Sequence, residues 1–234
     1  MEYNRSYPAI KICGIRTATE AGYLNKARVE YAGVVFYEPS KRYVPVTKAG
    51  ELIGALDKDI KKVAVTVSPD VALVKEIEKM GFDILQVHKD LSADVLKSVS
   101  IPVWYACNIE DEEAFALKLS FMDDLPDDVR HKIDGIVADA ADFGSGKTFN
   151  WRKDPDGGKT DKASVYMAGL KGKKFILAGG LNADNVTQGI RIYDPDVVDV
   201  SSAVEGDRGK DEEKIKKFVA RVRGTEVPKE ISHE

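Results

Sequence analysis

The chain has 234 residues, 43% hydrophobic and 32% charged, as expected of an ordinary soluble globular protein with a sizeable core. Its 35 Lys and Arg against 39 Asp and Glu leave a net charge of -4, which excludes the basic footprint of a nucleic-acid binder. Residues 1–8 lack the apolar stretch of a signal peptide, no run approaches a membrane span, and two distant cysteines exclude a disulfide scaffold, so the cytoplasm is the expected compartment.

In chain order, Ile10-Lys11-Ile12-Cys13-Gly14-Ile15 alternates apolar and polar and ends at a glycine. It reads as a strand entering a turn, with Cys13 at its C-terminal end. Thr17 to Val29 has a helical pattern, with Thr17 as N-cap and Glu20 three residues on. Gly33 to Tyr37 is an apolar run of the buried parallel kind. A helix is expected near Thr47 to Leu56 and a third strand over Lys62 to Val67. Ser68-Pro69 then opens a helix, with Ser68 as cap and Pro69 at its first position, ending at Gly81.

Asp83 to Val87 is the fourth strand and Ser92 to Val99 a short helix. Ile101 to Ala106 is the fifth strand, with Cys107 just past it, followed by a helix over Glu110 to Leu119. Asp123 to Asp128 reads as an acidic, solvated connector. Ile133 to Asp139 is the sixth strand. Phe149 to Ala163, rich in turn formers and charge, reads as a long loop, either functional or a plain surface insertion. Lys174 to Ala178 and Val197 to Ser201 are strands seven and eight, with helices over Asp184 to Tyr193 and Lys210 to Val222.

Eight strand-then-helix units with no dividing break predict one α/β domain over 1–234, a single (β/α)8 TIM barrel with a frayed tail after about residue 224. A doubly wound sheet is the alternative, since alternation alone does not close a barrel.

In such barrels chemistry sits at the C-terminal ends of the strands. Strand one offers Cys13 there, strand six offers Asp139, and the loop after strand two offers Lys41 and Arg42. Each has a blander reading: a cysteine as a small buried hydrophobe, an aspartate as a turn residue, a Lys-Arg pair as plain surface. Loops after strands seven and eight often cradle phosphate with backbone N–H groups, and Gly179-Gly180 and Ser201-Ser202-Ala203 suit that use. Gly144-Ser145-Gly146-Lys147-Thr148 is not a P-loop, because Ala141 stands where its first glycine is required. Its N–H groups suit a third phosphate-facing loop better.

Together these residues resemble the phosphoribosylanthranilate isomerase family of tryptophan biosynthesis. The similarity runs from Lys11 to about Arg223. It is carried by Lys11-Ile12-Cys13-Gly14-Ile15, by Phe36-Tyr37 with Ser40-Lys41-Arg42-Tyr43, and by Leu85-Gln86-Val87-His88. Further on it is carried by Asp139 with Gly144 to Trp151, by Leu177 to Leu181, and by Asp199-Val200-Ser201-Ser202-Ala203-Val204-Glu205.

The resemblance implies an Amadori rearrangement of N-(5-phosphoribosyl)anthranilate to the 1-deoxyribulose isomer. It makes Cys13 the general base and Asp139 the general acid. Arg42 would hold the anthranilate carboxylate, and Asp199 would lie near the substrate. The phosphate would belong to the loops holding Gly144, Ser145, Gly146, Gly179, Gly180, Ser201, Ser202 and Ala203. No cofactor and no metal are implied, since the substrate's nitrogen is the electron sink. The thiolate would need a pKa lowered by nearby positive potential, from the iminium or from the strand-end setting. The implied partner is a small phosphosugar, with no nucleic acid and no membrane, and the chain would act as a monomer or homodimer.

The sequence departs from the family pattern at Lys89, Phe143 and Ala203, where glycine is usual, and at Asn150, where aspartate is usual. The insertion after Trp151 is longer than usual. Two readings compete. A histidine-pathway isomerase of phosphoribosyl sugars uses aspartates for both proton transfers, which Cys13 argues against. A non-catalytic barrel would have lost Cys13, Asp139 or Arg42, and all three are present.

Overall fold

The computed structural model describes residues 7–108, 117, 120–139, 170 and 172–224. Strand β1 is Ala9–Cys13. Strands Tyr31–Val35 (β2), Lys61–Val67 (β3), Ile84–His88 (β4) and Val103–Asn108 (β5) follow, then Ile133–Asp139 (β6), Lys174–Leu177 (β7) and Val197–Val200 (β8). Each pairs in parallel with the one before it. Strand β8 returns to β1 with Ala9 opposite Val197 and Lys11 opposite Asp199. The sheet is therefore closed, and the expected barrel holds against the doubly wound alternative.

Closure splits the apolar residues into two cores by strand parity. Inside the barrel pack Tyr31, Val63, Val65, Trp104, Val137, Ile176 and Val197, with the Tyr31 and Trp104 rings 5.0 Å apart. Gly135 makes room there, since a Cβ on it would meet Trp104 and Ile176. Outside, alternate residues such as Ile10, Ile12, Ala32, Val34, Leu85 and Ile136 pack against the helices.

Those helices are Ala18–Ala27 (α1), Val46–Gly54 (α2), Val71–Met80 (α3), Ala93–Ser98 (α4), Asp127–Arg130 (α5), Val186–Tyr193 (α6) and Glu212–Arg223 (α7). The expected capping box is present in α1: Thr17 accepts from Glu20 N, and Glu20 accepts from Thr17 N. Ser92 caps α4 through Val95 N, as its position predicts.

Several boundaries differ from expectation. Strand β2 starts at Tyr31, two residues early, because Tyr31 belongs to the barrel interior while Phe36 has left the strand for the outer core. Ser68 does not cap α3: it takes φ 43°, and its hydroxyl donates to Asp90. Asp70 is the cap, accepting from Leu73 N at 2.8 Å. Cys107 lies within β5, facing the outer core, rather than after it. The acidic connector contains the short helix α5.

Helix α6 starts at Val186, two residues after Asp184. Helix α7 starts at Glu212, because Lys210 lies in a small hairpin. That hairpin follows a 3-10 turn at Ser202–Val204 and pairs Glu205–Gly206 (β9) with Gly209–Lys210 (β10). The expected loop over 149–163, the tail after 224 and most of the 110–119 helix lie outside the described residues, as do Phe143, Gly144, Ser145, Gly146 and Asn150.

Candidate active site

A cavity of about 530 Å3 opens at the C-terminal end of the barrel. Cys13, Arg42, Asp139, Gly179, Gly180, Asp199, Ser201 and Ser202 all line it, so one wall brings together the residues expected from five separate stretches of sequence. Its volume suits a small-molecule ligand. Ala203 is not among its lining residues; it sits exposed in the 3-10 turn.

Cys13 is the last residue of β1 and faces inward by parity with Lys11. Its neighbour across the sheet is Gly33, whose absent Cβ would stand 3.0 Å from Cys13 Sγ. Beneath it, Lys11 Nζ donates to Asp199 Oδ2 at 2.7 Å, both residues buried. Burial disfavours the Lys11 ammonium, but Asp199 and then Cys13 outweigh that and hold it above its ordinary value. Burial pushes the Asp199 carboxyl up against the pull of Lys11. Its Oδ1 finds no hydrogen-bond partner among the described residues.

Burial also pushes the Cys13 thiol above its ordinary value, opposed by Lys11 and Lys210. The strand-end setting alone therefore does not lower it. Two ammonium groups supply the anticipated positive potential, but desolvation outweighs them, and the group standing in the cavity at neutral pH is a thiol.

Asp139 ends β6 and is partly exposed to the same cavity. Gln86 and His88, two residues apart on β4 and so on one face, also line it, with Gln86 Nε2 and His88 Nε2 2.8 Å apart.

Arg42 is not the surface residue that its place beside Lys41 would allow; only 7% of it is exposed. Its stem lies across Gly14, where a Cβ would run into Arg42 Cδ. Gly14 has φ 80°, so glycine is needed there on both counts. The guanidinium faces Glu205 on β9: Nε donates to Oε1 at 2.6 Å and one Nη to Oε2 at 3.1 Å. Lys210 Nζ donates to Glu205 Oε1 at 2.9 Å, and Lys41 Nζ lies 3.5 Å from Oε2. Although burial raises it, Arg42 and Lys210 pull the Glu205 carboxyl down to about 2. Burial lowers the Lys210 ammonium against the pull of Glu205.

Lys210 Nζ further donates to Ser201 O at 3.0 Å, and Ser201 Oγ donates to Cys13 O at 2.8 Å. The Ser201 hydroxyl is thus turned inward to β1. In the loop after β7, Gly179 and Gly180 take φ 80° and 65°. Asn185 holds this turn by donating to Gly180 O at 3.0 Å and accepting from Asn182 N at 2.8 Å.

Lys11, Lys210 and the pairing role of Glu205 were not anticipated. For Lys11 the signal existed: it is two residues before Cys13 and must share its face. Among the described residues no group of three or more His, Cys, Asp or Glu side chains is arranged to hold a metal, and no helix is long and apolar enough to cross a membrane.

The sequence profile of the N-(5′-phosphoribosyl)anthranilate (PRA) isomerase family matches residues 10–221. The N-(5′-phosphoribosyl)anthranilate isomerase of Clostridium acetobutylicum is 40% identical, over 92% of this chain and 97% of that protein. A crystal structure of phosphoribosyl anthranilate isomerase from Thermotoga maritima superposes with a TM-score of 0.75 at 26% identity, over 93% of this chain and 99% of that one. A second, described as mutually generated monomers of the dimeric Thermotoga maritima enzyme, gives 0.74 at 27% over the same shares.

Proposed function

The chain belongs to the N-(5′-phosphoribosyl)anthranilate isomerase family, and from that premise we propose that it converts N-(5-phosphoribosyl)anthranilate to 1-(2-carboxyphenylamino)-1-deoxyribulose 5-phosphate in tryptophan biosynthesis. The observation that carries this is the shared cavity of Cys13 and Asp139, with Arg42 and the Gly179-Gly180 turn on its wall.

The chemistry is an acid step followed by a base step. Asp139, protonated, gives its proton to the furanose ring oxygen; the ring C–O bond breaks and the anthranilate nitrogen's lone pair forms an iminium. The C2′ hydrogen is now acidic. Cys13 releases its thiol proton to solvent as the cationic iminium forms, then removes the C2′ hydrogen as thiolate, and the electron pair moves through C1′ to the nitrogen, giving an enolamine. Proton transfer from the hydroxyl to C1′ completes the ketone. Cys13 ends as the thiol it began as and Asp139 regains from solvent the proton it gave, so protons balance and no oxidant is consumed.

The buried thiol fits this order of events. Cys13 rests protonated, and the cationic iminium forms beside it, adding to the fields of Lys11 and Lys210. The base is then strongest when its target is ready. In this reading Asp199 Oδ1, without a partner among the described residues, accepts a hydrogen bond from the substrate. Arg42 meets the anthranilate carboxylate, and the backbone N–H groups of Gly179 and Gly180, with Ser201, Ser202 and the Gly144-Ser145-Gly146 stretch, take the phosphate, while Ala203, off the cavity wall, does not.

The whole chain acts in this reading as one barrel domain in the cytoplasm. A single copy holds Cys13, Asp139, Arg42 and Asp199 in one cavity, so catalysis requires no second subunit, whether the chain is monomer or homodimer. The test is Asp139→Asn. Turnover should fall at least about 100-fold with little change in binding of a reduced product analogue. Near-wild-type turnover would remove Asp139 from the reaction.

A further inference from the structure

Glu205 stands out because it is an acid at the place where an acidic substrate is to be bound. A carboxylate beside Arg42 would by itself cancel the guanidinium and repel a second carboxylate. The surroundings answer this. Lys210, with a side chain only 1% exposed, and Lys41 both lie on Glu205, so the four groups together remain cationic. The contact is also side-on. Glu205 takes Nε and one N–H of a single Nη, which leaves the other Nη and the end-on edge of the guanidinium available.

We propose that Glu205 is a positioning residue for substrate recognition: it grips the inner edge of Arg42 and so aims the outer edge at the anthranilate carboxylate, with Lys210 as the buried counter-charge. Two fixed supports make the guanidinium rigid. Its stem rests over Gly14, and its inner edge is held by Glu205. A long flexible side chain thereby reaches the substrate already ordered, and little rotamer freedom is lost on binding. Lys210 ties the same unit to the reacting end of the cavity, since it also holds Ser201, which holds Cys13 O. This proposal rests on the reading of Arg42 as the carboxylate's partner.

The test uses two ligands: reduced 1-(2-carboxyphenylamino)-1-deoxyribulose 5-phosphate, and its anilino counterpart without the carboxylate. Both are titrated against wild type, Glu205→Gln, Glu205→Asp, Arg42→Ala and the Arg42→Ala/Glu205→Gln double variant. Glu205→Gln presents an amide N–H to the guanidinium and should weaken the carboxylate ligand roughly 10- to 100-fold, leaving the anilino ligand unchanged. KM should rise with kcat near wild type. Glu205→Asp keeps the charge on a shorter stem and should fall in between. In the Arg42→Ala background, Glu205→Gln should add nothing.

Equal weakening of both ligands by Glu205→Gln and Glu205→Asp would make Glu205 a plain structural residue and overturn the proposal. So would a full Glu205→Gln effect without Arg42. If instead Arg42→Ala fails to distinguish the two ligands, the carboxylate role of Arg42 itself is wrong, and the role given to Glu205 falls with it. Should Glu205→Gln not fold, the Glu205→Asp comparison decides alone.

Discussion

Cys13 and Cys107 are the same residue in two different proteins, in effect: one faces the inside of the barrel, the other the layer under the helices. Both are buried, and both sit near the C-terminal ends of strands. Parity separates them. Cys13 shares its face with Lys11 and opens on the cavity, while Cys107 is fully enclosed among apolar neighbours. The inner core carries a buried ion pair and an opening; the outer core around Cys107 is apolar packing under the helices. Residue type does not assign function here, but the face of the strand does.

The largest expected effect tests that contrast directly. Cys13→Ser should bind a product analogue normally and lose roughly 10²–10⁴-fold in turnover, the usual range for a lost general base. Cys107→Ser should keep its turnover. Comparable losses in both would erase the distinction between the two faces.

Next comes the ion pair inside the barrel. Lys11→Met leaves Asp199 buried without its partner and should cost about 3–5 kcal/mol of stability in denaturant titrations. The Lys62–Asp83 pair, at 3.4 Å and partly exposed, is the outer control. Lys62→Met should cost about 0–1 kcal/mol. Similar values would mean that the interior behaves as a solvated surface.

Reactivity sharpens the comparison further. Burial holds the Cys13 proton, so its alkylation rate should keep rising with pH beyond the range of an ordinary thiol. Bound product analogue should protect it. Cys107 should react only when the chain unfolds, which mass mapping of the modified peptide would read. Rapid alkylation of Cys13 at neutral pH would show that Lys11 and Lys210 outweigh desolvation after all.

The smallest effect lies wholly in the outer layer. Asp70→Ala removes the cap of α3 and should cost about 1 kcal/mol with turnover unchanged. Ser68→Ala should cost less, because Ser68 caps nothing. A larger loss at Ser68 would restore it as the helix start.

The strands were legible because alternation and apolar runs survive any tertiary context, and β6 begins and ends where the pattern says. Order and parity then put Cys13 and Asp139 on one mouth. Other features were hidden for identifiable reasons. Ser68-Pro69-Asp70 holds two good caps two residues apart, and only the turn at Ser68, with its bond to Asp90, decides between them. The hairpin of β9 and β10 has two residues per strand, too few for any period. The Arg42–Glu205 and Lys11–Asp199 pairs join positions far apart in the chain, and no local pattern announces such a meeting.

The Lys11–Asp199 contact has one more consequence, for the life of the chain before it is an enzyme. Its two members are 188 positions apart and lie on the first and last strands, which zip together only when the ring of strands closes. During synthesis the N-terminal strand emerges first and waits for nearly the whole remaining length to be made. Until then Cys13 has neither Asp199 beneath it nor Lys210 beside it. The surroundings of Cys13 are therefore completed only at the final seam, and on the proposed chemistry a half-assembled barrel should lack turnover.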